Sequence, residues 1–408
     1  MKLLYITASI PYGKGETFIL EEMLELKRQG IDIIVIPRNP AKEIFHKEAK
    51  NLEDRTIKLP LIDLKMIVYF LISLILKPSI WRIIKRIVLE SRTFMILLKN
   101  LIVLPKSVYV TKLINKLNIN HIHVHWGSTT ATMGYIISSL TSIPWSFTLH
   151  RWDIYENNML KEKVKSAFFV RCISEKGKND LLDIIGKELD YKVKIIHMGV
   201  KIPELEVFLN ELDDKDKDKN KNFTIATIAS FEPRKGHKYL IEACYLLVSR
   251  GIINFKCELY GEGSLKSEIK REVDRMNLSN FIKFYNFIKH EDLIELYKRH
   301  KVDLVVLPSI TINNESGEGI PVALMEAMAY GIPVISTNTG GISELVENAG
   351  IIVPEKDSIA LANAIEKCMV DRNYAYKLNA LGREKVMKEF NIEENTQKLI
   401  EEMKKNMR

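Results

Sequence analysis

VDLVVLPSITINNESGEGIPVALMEAMAYGIPVIS, residues 302–336, is the stretch on which the fold turns. Its opening run, 302–307, is apolar with almost no alternation, the mark of a strand covered on both faces of a sheet. A long loop follows, then a helical pattern over 321–330 started by Pro321, then a second apolar run at 332–336. Strand, helix and strand in succession predict parallel strands joined by a crossover helix. Two of its carboxylates stand out: Glu318 stands between Gly317 and Gly319 in the loop, and Glu326 falls eight residues later inside the apolar helix. A carboxylate there needs water or a partner, and open α/β sheets hold their ligands beyond the carboxyl ends of strands. For Glu326 the plain alternative is a helix residue that faces water or pairs with a lysine.

The same alternation runs in both directions. Strands are predicted at 223–229, 255–260, 281–284 and 350–353, with helices at 236–249, 264–275, 290–299 and 342–347 between them. Upstream, strands are predicted at 2–7, 31–37, 120–126, 144–149 and 167–173, with helices at 17–29 and 129–141. Between these halves lies NELDDKDKDKNKN, 210–222, with five acids, four lysines and a single apolar residue. Such a segment cannot bury itself and reads as a polar linker or loop. The expected organisation is a domain at 1–203, a linker at 204–222, a second domain at 223–390, and a helix at 391–408 free to cross back to the first domain. Two α/β domains so joined would form a cleft at their facing sheet ends.

Composition narrows the classes. A chain of 408 residues, 46% hydrophobic and 27% charged, is globular and long enough for two domains. MKLLYITASI is too short for a membrane span and lacks a signal-peptide cleavage site. Cys172, Cys244, Cys257 and Cys368 form no C-x-x-C pair, which points to a reducing, cytoplasmic setting. His121, His123 and His125 share one face of a strand, but no carboxylate near them in sequence completes a metal site, and none is expected. The net charge of +8 calls for an anionic partner, yet the basic residues are interleaved with aliphatic runs and no nucleic-acid module is present.

Residues just beyond strands carry the candidate chemistry. Arg234 and Lys235 follow the strand at 223–229, and a phosphate there would gain both cations and the amides of the helix opened by Gly236. Gly319 leaves the backbone room to approach a ligand, and Gly261 and Gly263 form a further strand-to-helix turn that lacks the spacing of a dinucleotide fingerprint. His150 ends PWSFTLH immediately after a strand, with Asp153 nearby.

Taken together, EGIPVALMEAMAYGIPV and the following STNTGGISELV resemble the signature of the retaining glycosyltransferases of family 4, a Glu, seven residues, then Glu. PYGKGETFILEE (11–22), HIHVHWGSTTATMGYIISSLTSIPWSFTLHRWDIY, IIHMGV (195–200) and VVLPS (305–309) are similar to the branch that builds exopolysaccharides of the colanic-acid and amylovoran type. The resemblance implies the GT-B fold, two Rossmann-like domains. It implies a nucleotide-sugar donor, a saccharide acceptor that is often lipid-linked, and no cofactor or metal. It casts Glu318 at the donor sugar, Glu326 at the ribose hydroxyls, Lys235 at the departing diphosphate and His150 beside the transferred sugar. Gly13, Gly15, Ser230, Arg234, Gly261, Gly263, Gly319 and Ile320 complete the implied donor-binding set. The chain departs from the family at Ala229 and Ser230, where Gly and Arg are usual, and at Asn286 in place of Gly. A GT-B nucleotide-sugar 2-epimerase and a non-catalytic nucleotide-sugar-binding protein stay open as alternatives.

One further expectation concerns location. Between Leu61 and Asn120 ten basic residues face two acidic ones, so the chain's whole excess charge is matched in this stretch. Met66–Leu76 is a purely apolar run apart from Tyr69 and Ser73, and 80–89 sets Arg82, Lys85 and Arg86 beside Ile83, Ile84 and Ile87 at helical spacing. A basic stripe beside an apolar one is the geometry of a helix lying in a membrane interface. The expectation is a cytoplasmic protein held peripherally on an anionic membrane surface; the alternative is a helix packed on the first sheet with a solvated basic edge.

Overall fold

The structure, a computed structural model, describes residues 1–13, 16–204, 222–312 and 318–405. The chain divides into two compact units, Met1–Met198 with Ile392–Arg408, and Gly199–Asn391. Of the polar stretch 204–222, all but Glu204 and Asn222 lies outside the described residues.

In the first unit six strands, β1 (Lys2–Thr7), β2 (Asp32–Pro37), β3 (His121–His125), β4 (Trp145–Leu149), β5 (Phe169–Cys172) and β6 (Val193–Ile195), form one parallel sheet. Their order is β2-β1-β3-β4-β5-β6. Alternation along β1 sends Leu4 and Ile6 into one core and Leu3 and Tyr5 into the other. The second of these cores is closed by helix Thr17–Arg28 and by Leu399, Ile400 and Met403 of the C-terminal helix Ile392–Lys404. β6 has three residues, too few to show a period of its own, and is absent from the sequence reading.

The second unit repeats the scheme with β7 (Phe223–Ile228), β8 (Phe255–Tyr260), β9 (Ile282–Tyr285), β10 (Leu304–Leu307), β11 (Val334–Thr337) and β12 (Ile351–Val353). These run parallel in the order β12-β11-β10-β7-β8-β9. The chain begins in the middle, winds out through β9, and returns to the other side of β7 at β10. At such a reversal neighbouring loops leave in opposite directions and open a crevice. The reversal falls between β7 and β10 here, and between β1 and β3 in the first unit. Helices Ser358–Val370 and Arg372–Glu389, unassigned from sequence, start at Asp357 and Asp371, whose carboxylates accept from Ala360 N at 2.8 Å and Tyr374 N at 2.9 Å.

The basic, apolar stretch of the first unit forms helices Leu64–Leu76, Pro78–Glu90, Phe94–Ile102 and Leu104–Ile114. It corrects one expectation. Ile83 and Ile87, read as the apolar side of an interfacial stripe, are packed in the core with Ile80, because that face meets the sheet's helical cover. What remains exposed is different: Trp81, Val88 and Leu89 of this helix and the outward faces of its two neighbours. The run Phe94–Ile114 has the length and apolarity of a membrane span, but 56% of its most apolar window is buried inside the unit. Lys106 within it is buried, and its ammonium donates to the carbonyls of Pro37, Arg38 and Leu59 at 2.7, 2.9 and 2.8 Å. Burial pushes its pKa down to about 7.

Candidate functional site

The crevice of the second unit is lined by the loops after β7 and β10, which the pairing of Leu304 with Ile225 and Val305 with Ala226 holds side by side. From the first loop comes Lys235, at the end of a short turn Pro233–Lys235. From the second comes Glu318. Lys235 Nζ lies 2.5 Å from Glu318 Oε2, both side chains only 13% exposed, and Ser309 Oγ is 3.5 Å from the same oxygen. Residues 83 apart in sequence thus make one ion pair at the sheet's reversal point. Arg234 points elsewhere: its Nε donates to Glu232 Oε2 at 2.9 Å in an exposed pair, while its carbonyl accepts from Ile310 N at 2.8 Å.

Backbone contacts hold Glu318 in place. Gly341 N donates to its carbonyl at 3.0 Å. Gly340, with φ +61°, lies so close that a Cβ there would sit 1.7 Å from Glu318 O. The TGG turn after β11 therefore acts as a seat for the loop that carries Glu318, a role the sequence hides because its two parts lie far apart along the chain. Gly319 has open space around its Cα, whereas Ile320 is buried. Gly261 and Gly263 have a packing reason for being glycine: a Cβ at either would meet the backbone of Ala229 or Phe231 at 2.0 to 2.5 Å. The β7 and β8 loops are stacked backbone to backbone, with Ala229 and Ser230 at that contact. Asn286 also has work to do, since its Oδ1 accepts from Lys266 Nζ at 2.9 Å while Lys266 reaches Gly261 O and Tyr285 O at 3.0 and 2.8 Å.

Glu326 finds a partner that the sequence reading did not name. It projects from helix Val322–Ala329, and its Oε1 lies 2.8 Å from His290 Nε2 at the start of helix His290–Lys298. His290 follows closely on β9, so the same strand-end rule that selected Lys235 would have selected it.

In the first unit His150 stands at the start of helix Arg151–Glu156, directly after β4, and its backbone N–H donates to Asp153 Oδ2 at 3.1 Å. Its ring continues a buried chain. Tyr5 OH donates to Glu22 Oε1 at 2.8 Å, Tyr5 OH lies 3.0 Å from His125 Nδ1, and His125 Nε2 lies 2.7 Å from His150 Nε2. The tyrosine proton is given to the carboxylate, so His125 Nδ1 must be the donor to the tyrosine oxygen. His125 Nε2 is then an acceptor, and His150 carries its proton on Nε2. Burial first, with other charges adding to it, holds His125 well below the ordinary histidine range, and burial with Arg171 takes His150 down to about 3. Glu22 is itself ion-paired to buried Arg171, whose Nε and Nη2 donate to Ile196 O and His197 O at 2.7 Å each. His121 and His123 bond to Ser146 Oγ at 2.7 and 2.8 Å, and His123 also to Thr148 Oγ1 at 3.0 Å, so the three strand histidines form a buried polar ladder with β1 and β4.

Gly13 lies in the loop after β1, and Gly15 falls outside the described residues. The organiser of this loop is Glu16, which sequence reasoning passed over. Its Oε2 accepts from Ser9 N and Oγ at 2.9 and 2.6 Å and from Ile10 N at 3.3 Å, and its Oε1 accepts from Trp126 Nε1 just after β3. It ties together the two loops at the first unit's own reversal point.

Residues 210–385 match the family model described as "Glycosyl transferases group 1". Among curated relatives, the amylovoran biosynthesis glycosyltransferase AmsK of Erwinia amylovora is 33% identical over 204 residues, 49% of this chain and 47% of that protein. The chain thus spans about half the length of this relative. An Escherichia coli protein named UDP-Gal:alpha-D-GlcNAc-diphosphoundecaprenol alpha-1,3-galactosyltransferase is 26% identical over 308 residues, 71% of this chain and 76% of that one. Among solved structures, Anabaena Alr3699/HepE in complex with UDP superposes with a TM-score of 0.70 at 18% identity, over 98% of this chain and 99% of that one. The fold is GT-B.

Proposed function

We propose, on the premise that residues 210–385 belong to the group 1 glycosyl transferases, that the chain is a retaining glycosyltransferase. It moves a sugar from a nucleotide-sugar donor to a lipid-linked saccharide acceptor in the synthesis of a surface polysaccharide. The observation that carries this reading is the Lys235–Glu318 pair at the β7/β10 reversal, 2.5 Å apart and mostly buried. Glycosyl transfer breaks the bond between the sugar's anomeric carbon and the diphosphate, and charge grows on the leaving oxygen. A fixed ammonium at that oxygen stabilises the transition state more than the ground state. In the free protein Glu318 neutralises Lys235; with donor bound, the diphosphate takes over the cation and the carboxylate turns to sugar hydroxyls.

Glu326 offers two acceptor oxygens to the two neighbouring hydroxyls of a ribose, and His290 holds the carboxylate in place beforehand. Gly261, Gly263, Gly319 and Ile320 shape the second unit's loops around the donor, Ser230 lies on its phosphate side, and Arg234 joins it there by leaving its exposed pair with Glu232. The acceptor hydroxyl attacks on the face the diphosphate leaves, its proton passing to a donor phosphate oxygen, and the configuration at the anomeric carbon is kept.

A donor screen that follows nucleotide release and product mass, with lipid-linked saccharides as acceptors, tests the reading. Proton NMR of the new linkage should show the donor's anomeric configuration. An inverted linkage refutes the retaining route, and donor binding without any product moves the chain to the non-catalytic alternative.

A further inference from the structure

The segment 308–311, directly after β10, supports both members of the Lys235–Glu318 pair. On one side it carries the turn of Lys235. Ile310 N donates to Arg234 O at 2.8 Å, and Gly236, with φ +66°, packs so closely that a Cβ there would sit 1.8 Å from Pro308 O. On the other side it meets β11 and the turn that seats Glu318. Thr337 Oγ1 donates to Ser309 O, and the hydroxyl oxygens of Thr311 and Thr339 are 2.9 Å apart. Thr339 leads into Gly340 and Gly341, whose contacts set the backbone of Glu318.

The group that fixes this segment lies outside both loops. Glu355, just beyond β12, accepts from Thr311 N at 2.6 Å on Oε2 and from Thr311 Oγ1 at 2.8 Å on Oε1. A hydroxyl has one proton, and Thr311 gives its own to Glu355, so Thr339 is the donor to Thr311. The result is a directed chain, Thr339 to Thr311 to Glu355, in which each bond polarises the next. Ser309, Thr337 and Thr339 are buried, so the upper end of this chain lies where water does not compete for it. A carboxylate that merely faced solvent would need no fixed partner; this one engages the main chain and the side chain of a single residue with separate oxygens.

We propose that Glu355 is a positioning residue for sugar transfer: acting through Thr311 and Thr339, it fixes the placement of Lys235 relative to Glu318. The proposal rests on the reading above that this pair serves the donor.

Amide exchange of the full chain, resolved to single residues, tests the coupling without any reaction. In Glu355→Ala the amides of Ile310, Thr311 and Gly341 should all exchange about tenfold or more faster, the scale of one lost hydrogen bond to a charged group. Thr311→Val keeps the main-chain bond to Glu355 but cuts the hydroxyl link, so it should free Gly341 while the amide at position 311 stays protected. Thr311→Ser should restore the wild-type pattern. Donor-dependent nucleotide release should follow the same order. In Glu355→Ala and Thr311→Val kcat should fall about tenfold or more while KM for the donor moves by about twofold at most, and Thr311→Ser should regain kcat. Adding Thr339→Val to Glu355→Ala should slow turnover no further, because both cut one chain. Faster exchange at position 311 alone, an unchanged kcat in both variants, or losses that multiply in the double variant would each overturn the proposal. Melting curves check folding, and Thr311→Val carries both measurements if Glu355→Ala does not fold. Lys235→Ala and Glu318→Ala separate this proposal from the reading it rests on. Full turnover in both, or no turnover in the wild type, ends the reading of the pair and this proposal with it; lost turnover in both beside a wild-type kcat in Glu355→Ala removes Glu355 alone.

Discussion

Gly340→Ala is the sharpest probe of how the second unit positions its chemistry. The added Cβ would lie 1.7 Å from Glu318 O and 2.7 and 2.8 Å from its C and N, all backbone atoms that no side-chain rotation can move away. Glu318 must therefore shift by more than an ångström, and the 3.0 Å bond from Gly341 N to its carbonyl goes with it. The φ of +61° adds a left-handed penalty of about 1–2 kcal/mol for any L side chain. We expect stability to fall by about 2–4 kcal/mol and turnover to fall about a hundredfold, the usual cost of a misplacement near 1 Å. Gly251 is the control: its φ is +81° but nothing lies within 4 Å of an added methyl, so Gly251→Ala isolates the backbone penalty. Donor-dependent nucleotide release gives turnover, and urea denaturation gives stability. If the two variants lose the same stability and Gly340→Ala keeps its turnover, the seat does not position Glu318 and the reasoning is wrong.

Lys235→Ala should lower turnover by about a factor of 100 while free-nucleoside affinity barely moves, whereas Glu326→Gln should chiefly weaken nucleotide binding; calorimetric titration beside initial rates separates them, and equal small losses in both count against the assignment. Glu22→Gln should cost about 3 kcal/mol in urea denaturation, because it strands buried Arg171, while Lys161→Gln, which breaks an exposed pair with Glu188, should leave stability nearly unchanged. Acid should destabilise the first unit. His121, His123, His125 and His150 are all held below their ordinary range, the first and last at about 3, so stability is lost as pH falls from 6.5. Asp153, raised to about 7 by burial, opposes this by gaining stability as pH falls from 7 towards 4. Unfolding at a pH near 5.5 should take up about two or more protons net, measured by calorimetry in buffers of different ionisation enthalpy; zero uptake would contradict the buried neutral ladder.

The parallel architecture was legible along the chain because its cause is local. Strands such as LVVL at 304–307 are covered on both faces and must be apolar throughout, and a crossover helix must separate parallel neighbours. The same locality exposed Lys235, Glu318 and His150, since each lies in the segment that leaves the end of a strand, and strand ends are where an open sheet holds ligands. What local pattern cannot carry is pairing at a distance. Nothing near Glu318 announces that Gly340 seats its backbone or that Lys235, 83 residues earlier, neutralises it. Nothing near His150 tells of Glu22, whose influence arrives through Tyr5 and His125 across three strands and a helix. The isoleucines of 80–89 make the same point in reverse: a helix shows which residues share a side, but whether that side meets a core or a bilayer depends on what packs against it, and here Ile83 and Ile87 went inward while Leu71, Ile75 and Leu98 stayed out.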